Sequence, residues 1–358
     1  MVIWYVLCGG YIEGDDYMKS RPNIFDYATS ELSQDAFLAW YCRWADETMT
    51  DDMELHASAR AFLKKYIAIQ LPDYNEDIRT VDVRRQYMHI DVLLTINHDF
   101  RVIIEDKVHT YKHGDQLKRY SDAIDDPKIK LYIKTGDESE AQKKRIEEED
   151  GYIVITRADL LQSLESCNSN NEILRSFVDR FRGWENATHS YRQSDVWSTA
   201  QLVGFYKDME RVLPESNWMY VSNPNKGNLV LNWTWVTLPD CKMYLEFSFP
   251  QWCAAKRERY LEYFKLLVKI TALNEPRYDE MQKVMRRELL HKHSNAFIAH
   301  ADGLVCRPHV LRPGRYMTIA EVGFQHFAKD SASIDVQKIA ELLHPYEEAV
   351  RTYVERMK

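Results

Sequence analysis

Two carboxylates and a lysine occur where two neighbouring strands are expected to meet. Asp91 begins the apolar segment DVLLTI, and Glu105 and Lys107 close the segment FRVIIEDK. Alternate residues of a strand share a face, so Glu105 and Lys107 point the same way. Facing carboxylates repel one another unless a cation lies between them, and Mg²⁺ binds carboxylates while keeping several waters. A lysine beside such an ion can hold or deprotonate a water, so this set predicts metal-assisted phosphodiester hydrolysis.

The surrounding elements follow the order expected of a mixed sheet flanked by helices. IRTVDVRRQYMHIDVLLTI predicts two strands, and Asn97-His98-Asp99 predicts a tight turn that folds Asp91 back beside Glu105. Upstream, SQDAFLAWYCRWADE predicts a helix with Ser33 as its N-cap, and a second helix follows at about 54–69. Downstream, GDQLKRYSDAI, ESEAQKKRIEEED, RADLLQSL and NEILRSFVDRFRGW predict helices, while KIKLYIKT and GYIVIT predict strands. The fold class expected from this order is α/β.

The ordered polar residues resemble the PD-(D/E)XK nuclease superfamily over about residues 23–165. Glu105-Asp106-Lys107 corresponds to the E-x-K element, and Ile90 stands where a proline often precedes the first acid. A glutamine and a tyrosine four residues apart, on one helix face, match the Q-x-x-x-Y element of the exonuclease-like branch. ELSQDAFLAW is similar to the start of bacterial defence-associated relatives. The matching residues in chain order are Glu31, Asp91, Glu105, Lys107, Gln116 and Tyr120.

The resemblance implies a restriction-endonuclease-like core that carries a metal-dependent phosphodiester hydrolase. Asp91 and Glu105 are expected to bind Mg²⁺, which Mn²⁺ can replace. The side chain of Asp106 alternates to the other face and is not expected to be a ligand. The resemblance implies that the backbone carbonyl of Asp106 binds the metal instead. Glu31 is expected as an extra or water-mediated ligand. Lys107 is then expected to position or activate the attacking water.

Gln116 and Tyr120 are expected, from the same resemblance, to approach the active site or the nucleic acid. The implied substrate is nucleic acid, with DNA as the first choice and RNA open. The implied setting is the bacterial cytoplasm, in phage defence or restriction. A homo-oligomer and a defence-system partner are both open, and no membrane association is expected.

Other interpretations of the same residues stay open at this point. Glu105 and Lys107 could form a salt bridge on an exposed edge strand, although charges buried in apolar strands are costly without a use. Glu31 could be only a first-turn acid that stabilises a helix dipole, and Asp35 could take its place. The whole chain could be a nuclease-fold binding or regulatory protein without turnover.

The helix with the Q-x-x-x-Y element also has a plain alternative, in which Gln116 and Tyr120 lie on an ordinary solvated face. Five basic residues around the segment could either line a path for the phosphates of nucleic acid or be ordinary solvated charges, and the sequence favours neither. They are Lys112, Lys118, Arg119, Arg84 and Arg85. His109 and His113 are expected to contact phosphate or solvent rather than metal.

Length and charge favour two domains with different charge. The 358 residues suffice for about two domains, predicted as a nuclease-like domain over 1–190, with 1–17 as a tail, and an α+β accessory domain over 191–358. The net charge of −8 argues against a generally basic nucleic-acid binder. Residues 1–185 hold 24 Lys+Arg and 35 Asp+Glu, a net of −11, whereas 186–358 hold 23 and 20, a net of +3. The mildly basic second half is therefore the better candidate for holding nucleic acid, by selecting the substrate or sensing a trigger.

The second half carries no motif with nameable chemistry. The six cysteines are scattered without a CxxC pair or a Cys/His cluster at zinc spacing, as is typical of reduced cytoplasmic thiols. Trp233 and Trp235 alternate in a strand and are expected to pack in the core rather than stack on bases. His291 and His293 do not share a helix face, which disfavours a metal pair. Helices are expected at about 195–212, 253–272, 276–292 and 334–356, with a hairpin at 228–249 and strands at LVCRP and RYMTIAEVGF.

Overall fold

A computed structural model describes most of the chain from residue 22 onward. The described residues are 22–358 without 109, 111, 113, 126–127, 222–227, 251–260, 262 and 273–279, and without the side chains of 250 and 280–284. The predicted tail at 1–17 therefore lies outside the described residues. By internal contacts the described chain forms two compact units, residues 22–186 and residues 187–358.

The first unit is built on a five-stranded mixed sheet in the spatial order β1-β2-β3-β4-β5. β1 to β3 are antiparallel, whereas β3, β4 and β5 run parallel. β3 is the central strand, and nearly all of its side chains are buried because both faces of the sheet are covered. This arrangement confirms the α/β class with a mixed sheet. The strands are β1 Val81–Tyr87, β2 Ile90–Ile96, β3 Phe100–Lys107, β4 Lys128–Lys134 and β5 Ile153–Thr156.

Seven helices occur among the described residues of the chain up to position 189. They are α1 Ile24–Tyr27, α2 Glu31–Arg43, α3 Met53–Gln70, α4 Gln116–Asp122, α5 Glu140–Arg145, α6 Arg157–Glu165 and α7 Glu172–His189, with a π-helical turn Ile146–Asp150 after α5. The N-cap of α2 is Ser30, so the expectation for Ser33 was wrong. The backbone N–H of Ser33 already donates to the Ser30 carbonyl at 3.0 Å, which places Ser33 inside the first turn.

The second unit is built on a six-stranded antiparallel sheet in the order β10-β11-β9-β8-β7-β6. Its strands are β6 Asn217–Val221, β7 Asn228–Thr237, β8 Cys241–Pro250, β9 Lys265–Ala272, β10 Arg307–Pro308 and β11 Tyr316–Gly323. Its helices include α8 Thr199–Val212, α9 Glu280–His300 and α10 Val336–Met357. Together they enclose one apolar core.

Two expectations for the second unit were wrong. Residues 265–272 form β9 between β8 and β11 rather than a helix, because Leu266, Val268 and Ile270 alternate inward with the period of a strand. The first part of that expected helix, 253–260, lies outside the described residues. Trp233 packs in the core as expected, but Trp235 is 45% exposed and stacks on Tyr244. A β-bulge between Trp233 and Val236 breaks the alternation that would have given both tryptophans one face.

Among the residues that the structure describes, no helix is long and apolar enough to cross a membrane.

Candidate active site

The β2–β3 hairpin brings Asp91 beside Glu105. Val92 pairs with Ile104, and the next position outward in that register sets Asp91 opposite Glu105. The turn that fixes this register places Asn97 and His98 in the left-handed region, with φ of 52° and 63°, a conformation that asparagine tolerates well. The backbone N–H of Asp106 donates to Asp91 Oδ2 at 2.9 Å, which fixes the Asp91 carboxylate against β3.

Lys107 lies between the two carboxylates. Its Nζ pairs with Glu105 Oε1 and lies 3.8 Å from Asp91 Oδ2. Glu105 is fully buried and Lys107 is only 6% exposed on the central strand, so the alternative of a salt bridge on an exposed edge strand was wrong. Burial and the charge of Asp91 raise the pKa of Glu105 to about 8. Burial lowers the pKa of Lys107, but the neighbouring carboxylates outweigh it and the net direction is upward.

Gln116 reaches the Glu105 carboxylate from α4, and Tyr120 contacts Gln116. Gln116 is the first residue of the helix, and its Nε2 lies 2.7 Å from Glu105 Oε1. The same amide donates to the hydroxyl of Tyr120, one helical turn later, at 3.0 Å. Tyr120 is buried, so the alternative of an ordinary solvated face was wrong for this pair.

Glu31, the first residue of α2, holds the chain just after β3. Its Oε1 accepts from the backbone N–H of Val108 at 3.0 Å and from the hydroxyl of Thr110 at 2.7 Å. These contacts join residues 77 and 79 positions apart, so Glu31 is more than a first-turn acid. Glu31 thus contacts the residue that follows Lys107, and its Oε1 accepts two hydrogen bonds.

The side chain of Asp106 points to the opposite face, as strand alternation predicts. Its Oδ1 accepts from Gln34 Nε2, and Gln34 Oε1 accepts from the Thr135 hydroxyl at 2.8 Å. Burial raises the pKa of this fully buried carboxyl well above its usual range. The backbone carbonyl of Asp106 is on the active-site side, where it accepts from Lys107 Nζ at 3.2 Å.

Comparison with known proteins agrees with this geometry. A family model described as PD-(D/E)XK nuclease superfamily matches residues 22–191. The resemblance expected from the sequence over about 23–165 is thereby confirmed, and the match extends through α7. No curated protein and no solved structure matches the chain.

Two further residues of the candidate site, Gln86 and Asp35, lie beside Asp91, and no local sequence pattern places them there. Gln86 donates from Nε2 to Asp35 Oδ2 at 3.0 Å and to Asp91 Oδ1 at 3.1 Å. Its backbone lies in the left-handed region, with φ of 51°, a conformation that persists for such a residue only where its surroundings hold it. Burial and the charge of Asp91 raise the pKa of Asp35 to about 7. Asp35, considered from sequence only as a substitute for Glu31, thus joins the carboxylates around Asp91.

A second buried lysine was also missed. Lys134 pairs with Lys107 in the parallel register of β3 and β4, and it is only 2% exposed. Its Nζ donates to the Thr110 carbonyl at 2.5 Å, and burial lowers its pKa. Thr110 is therefore held from two sides, by Glu31 and by Lys134.

The candidate site has the donor set of a hard divalent cation. Asp91, Glu105 and the carbonyl of Asp106 offer only oxygen, which suits Mg²⁺ and Mn²⁺. Glu105 Oε2 is buried, and no donor among the described residues reaches it. A buried carboxylate oxygen without a donor is costly, and a cation bound there would satisfy it. The residues present therefore fit a divalent metal.

The basic residues around the site differ in how they are engaged. Lys112 pairs with Asp150 and both side chains are nearly buried, so its charge is already balanced. Arg85 donates to the Leu32 carbonyl at 2.8 Å. Lys118 and Arg119 are exposed on α4, where they can meet solvent or phosphate. His109 and His113 lie outside the described residues.

Proposed function

We propose that the protein is a Mg²⁺-dependent nuclease that hydrolyses phosphodiester bonds of DNA. The observation that carries the proposal is the convergence of Asp91, Glu105 and Lys107, with Lys107 Nζ paired to both carboxylates. Gln116 donates to Glu105 in the same cluster, which supports the expectation that the Q-x-x-x-Y element approaches the active site. The match of residues 22–191 to a nuclease superfamily supports a nucleic-acid substrate.

The proposed roles follow from the contacts of each side chain. Asp91, Glu105 and the Asp106 carbonyl would hold the metal ion, which when bound polarises the phosphoryl group and lowers the pKa of water. Lys107, the buried ammonium between the acids, positions the attacking water and stabilises negative charge that develops on the phosphate.

Three positioning roles support this set. Gln116 holds the Glu105 carboxylate in one orientation, and Tyr120 fixes the Gln116 amide. Glu31 holds the segment that follows Lys107 through Val108 and Thr110. Such supporting contacts keep catalytic groups within the narrow geometry that the reaction needs.

A substrate panel tests the activity. The purified chain is incubated with linear, circular and single-stranded DNA and with RNA, each in Mg²⁺, Mn²⁺ or EDTA. We expect DNA cleavage with either metal and none in EDTA. Cleavage of RNA alone would assign an RNA nuclease, and binding without cleavage of any substrate would assign a silent nuclease-fold protein.

Matched variants test the residues. Asp91→Asn, Glu105→Gln and Lys107→Ala are each expected to lower cleavage by about 10²–10⁴-fold, the range typical of lost acid–base or charge-stabilising groups. Lys144→Ala serves as control, because Lys144 is 73% exposed and pairs with Glu148 one turn along. Circular dichroism checks that each variant is folded. Full activity in all three would contradict the assignment.

We also propose a biological setting and a role for the second unit. Similarity of the α2 start, ELSQDAFLAW, to defence-associated relatives supports a cytoplasmic role in bacterial phage defence or restriction. The net charge of +3 over 186–358 supports substrate selection or trigger sensing by the second unit, alone or with a further copy or partner. Plaque counts on cells that express the wild type or Lys107→Ala test the setting, with fewer plaques expected for the wild type. Equal counts would contradict a role in phage defence.

A further inference from the structure

Three side chains of types that can bind a metal converge in the second unit, which does not contain Asp91 or Glu105. Asp240 lies in the turn between β7 and β8, Cys241 begins β8, and His293 lies in the middle of α9. Their ligand atoms all lie within 4.8 Å of one another. Cys241 and His293 are fully buried, whereas the Asp240 side chain is 34% exposed. Two members of the cluster are therefore buried, and solvent reaches it at Asp240.

The arrangement is that of a ligand set rather than of a nucleophilic triad. Cys241 Sγ and Asp240 Oδ1 both approach His293 Nε2, at 3.7 Å and 3.3 Å. A triad needs the nucleophile on one ring nitrogen and the carboxylate on the other. Here the other nitrogen, Nδ1, lies 2.9 Å from the Tyr353 hydroxyl. One ligand atom of each of the three residues thus lies on the same side of the imidazole, around Nε2.

The two separations from His293 Nε2 match edges of a tetrahedral zinc site, and the third pair of ligand atoms lies within 4.8 Å. With Zn–S of about 2.3 Å and Zn–N of about 2.0–2.1 Å, tetrahedral angles set sulfur and nitrogen about 3.6 Å apart. The same arithmetic sets nitrogen and carboxylate oxygen about 3.4 Å apart. The observed separations are 3.7 Å and 3.3 Å. The 3.3 Å separation is also longer than the roughly 2.7–3.2 Å of ordinary N–H···O bonds.

The neighbours of the cluster suit a bound cation. Tyr353 on α10 can accept from Nδ1, which would leave Nε2 as the metal-binding nitrogen and fix the ring. Lys292 Nζ lies 2.6 Å from Asp240 Oδ2, which leaves Oδ1 for an ion. A thiolate and a carboxylate together neutralise a divalent charge, and a set with sulfur and imidazole selects zinc over magnesium.

We propose that Asp240, Cys241 and His293 bind one Zn²⁺ ion, with the fourth position open to water beside the exposed edge of Asp240. The ion joins the β7–β8 turn to α9 and, through Tyr353, to α10. Local sequence spacing does not reveal such a site, because 52 residues separate Cys241 from His293. The site is independent of the nuclease proposal, since its residues and its ligand chemistry differ.

Cobalt spectroscopy on the full chain tests the proposal. The protein is stripped with a chelator and titrated with Co²⁺, which gives a thiolate charge-transfer band in the near ultraviolet only when sulfur ligates it. We expect the band to saturate at one Co²⁺ per chain and to be displaced by one Zn²⁺. The site of Asp91 and Glu105 offers only oxygen ligands, so Glu105→Gln should leave the band unchanged.

Two cysteine variants and one ligand variant complete the test. Cys241→Ser should abolish the band, whereas Cys306→Ser, a half-buried thiol of the same unit, should retain it. Asp240→Ala alters a partly exposed side chain, so the fold should survive while Zn²⁺ affinity falls by more than about tenfold. Absence of the band in the wild type, or its persistence in Cys241→Ser, would overturn the proposal. Equal Zn²⁺ affinity of wild type and Asp240→Ala would remove Asp240 from it.

Discussion

Gln116 Nε2 lies 2.7 Å from Glu105 Oε1 and 3.0 Å from the Tyr120 hydroxyl. A side-chain amide carries two N–H donors, so the Gln116 amide can donate to both acceptors at once. The contact joins the first turn of α4 to the end of β3, and it turns Glu105 Oε1 toward the helix. Gln116 therefore acts through Glu105, by setting which way that carboxylate faces.

The first prediction concerns the metal dependence of Gln116→Ala. Removal of the amide frees the Glu105 carboxylate to rotate, and loss of such a supporting contact typically costs about 10–100-fold in metal affinity or activity. We expect the Mg²⁺ concentration for half-maximal DNA cleavage to rise by a factor in that range. Gln162→Ala, on the exposed side of α6, is the control. An unchanged Mg²⁺ dependence in Gln116→Ala would show that the contact has no part in metal binding.

The second prediction separates two roles of Glu31. Because Oε1 accepts from Val108 and Thr110, a glutamine carbonyl oxygen can make the same two hydrogen bonds without the charge. If Glu31 acts only by holding Val108 and Thr110, Glu31→Gln keeps the cleavage rate within about threefold of wild type. Glu31→Ala then lowers the cleavage rate by about 10–100-fold. We expect this pattern in initial rates at saturating Mg²⁺. An equal loss in both variants would instead make Glu31 a metal ligand.

Strand alternation and turn chemistry made the central cluster predictable from sequence. Glu105 and Lys107 share a face because side chains of a strand alternate, and the Asn97 turn sets the register that brings Asp91 opposite. These effects act over a few residues, so a short segment contains all the information. The positions of these residues follow the prediction, while their roles in catalysis stay proposals.

Contacts made by packing of distant segments were not predictable. Gln86 meets Asp35 across 51 residues, and Cys241 meets His293 across 52, so no local period marks either pair. The segment 265–272 was misassigned as helix although its apolar residues alternate, because a run of residues common in helices precedes it. Pairing with β8 and β11 on both sides decides its conformation.

The third prediction concerns the stability of the buried network behind the active site. Gln34 donates to Asp106 and accepts from Thr135, and all three residues are buried. Gln34→Ala removes the donor and leaves a buried carboxyl without it, which costs about 1–3 kcal/mol. Urea denaturation should show that loss in the free energy of unfolding, while Gln162→Ala should change it by less than about 0.5 kcal/mol. A loss within the range of the control would mean that water or another group replaces the amide.

The fourth prediction concerns Arg157, whose guanidinium is 1% exposed at the start of α6. It pairs with Asp137 at 2.7 Å and with Glu185 at 2.8 Å, and it donates to the Thr135 carbonyl at 2.7 Å. The Asp137 side chain is itself only 5% exposed, so Arg157→Leu removes the cation that offsets a buried charge. Breaking one partner of a buried ion pair costs about 3–5 kcal/mol. We expect a loss of that size in the free energy of unfolding measured with urea.

A surface pair and a double variant sharpen the test of Arg157. Arg145 is 53% exposed and lies 3.9 Å from Glu149 on its own helical segment, so Arg145→Ala should cost no more than about 1 kcal/mol. Arg157→Leu combined with Asp137→Asn removes the charges of both partners, and asparagine tolerates the left-handed φ of 68° at position 137. The double variant should recover part of the loss, because only Glu185, whose side chain is 18% exposed, is then left without the cation. If the loss of unfolding free energy in the double variant equals the sum of the losses in the two single variants, the two side chains are not coupled. The loss in Arg157→Leu would then come from packing over Trp184, whose ring centre lies 4.9 Å from the guanidinium.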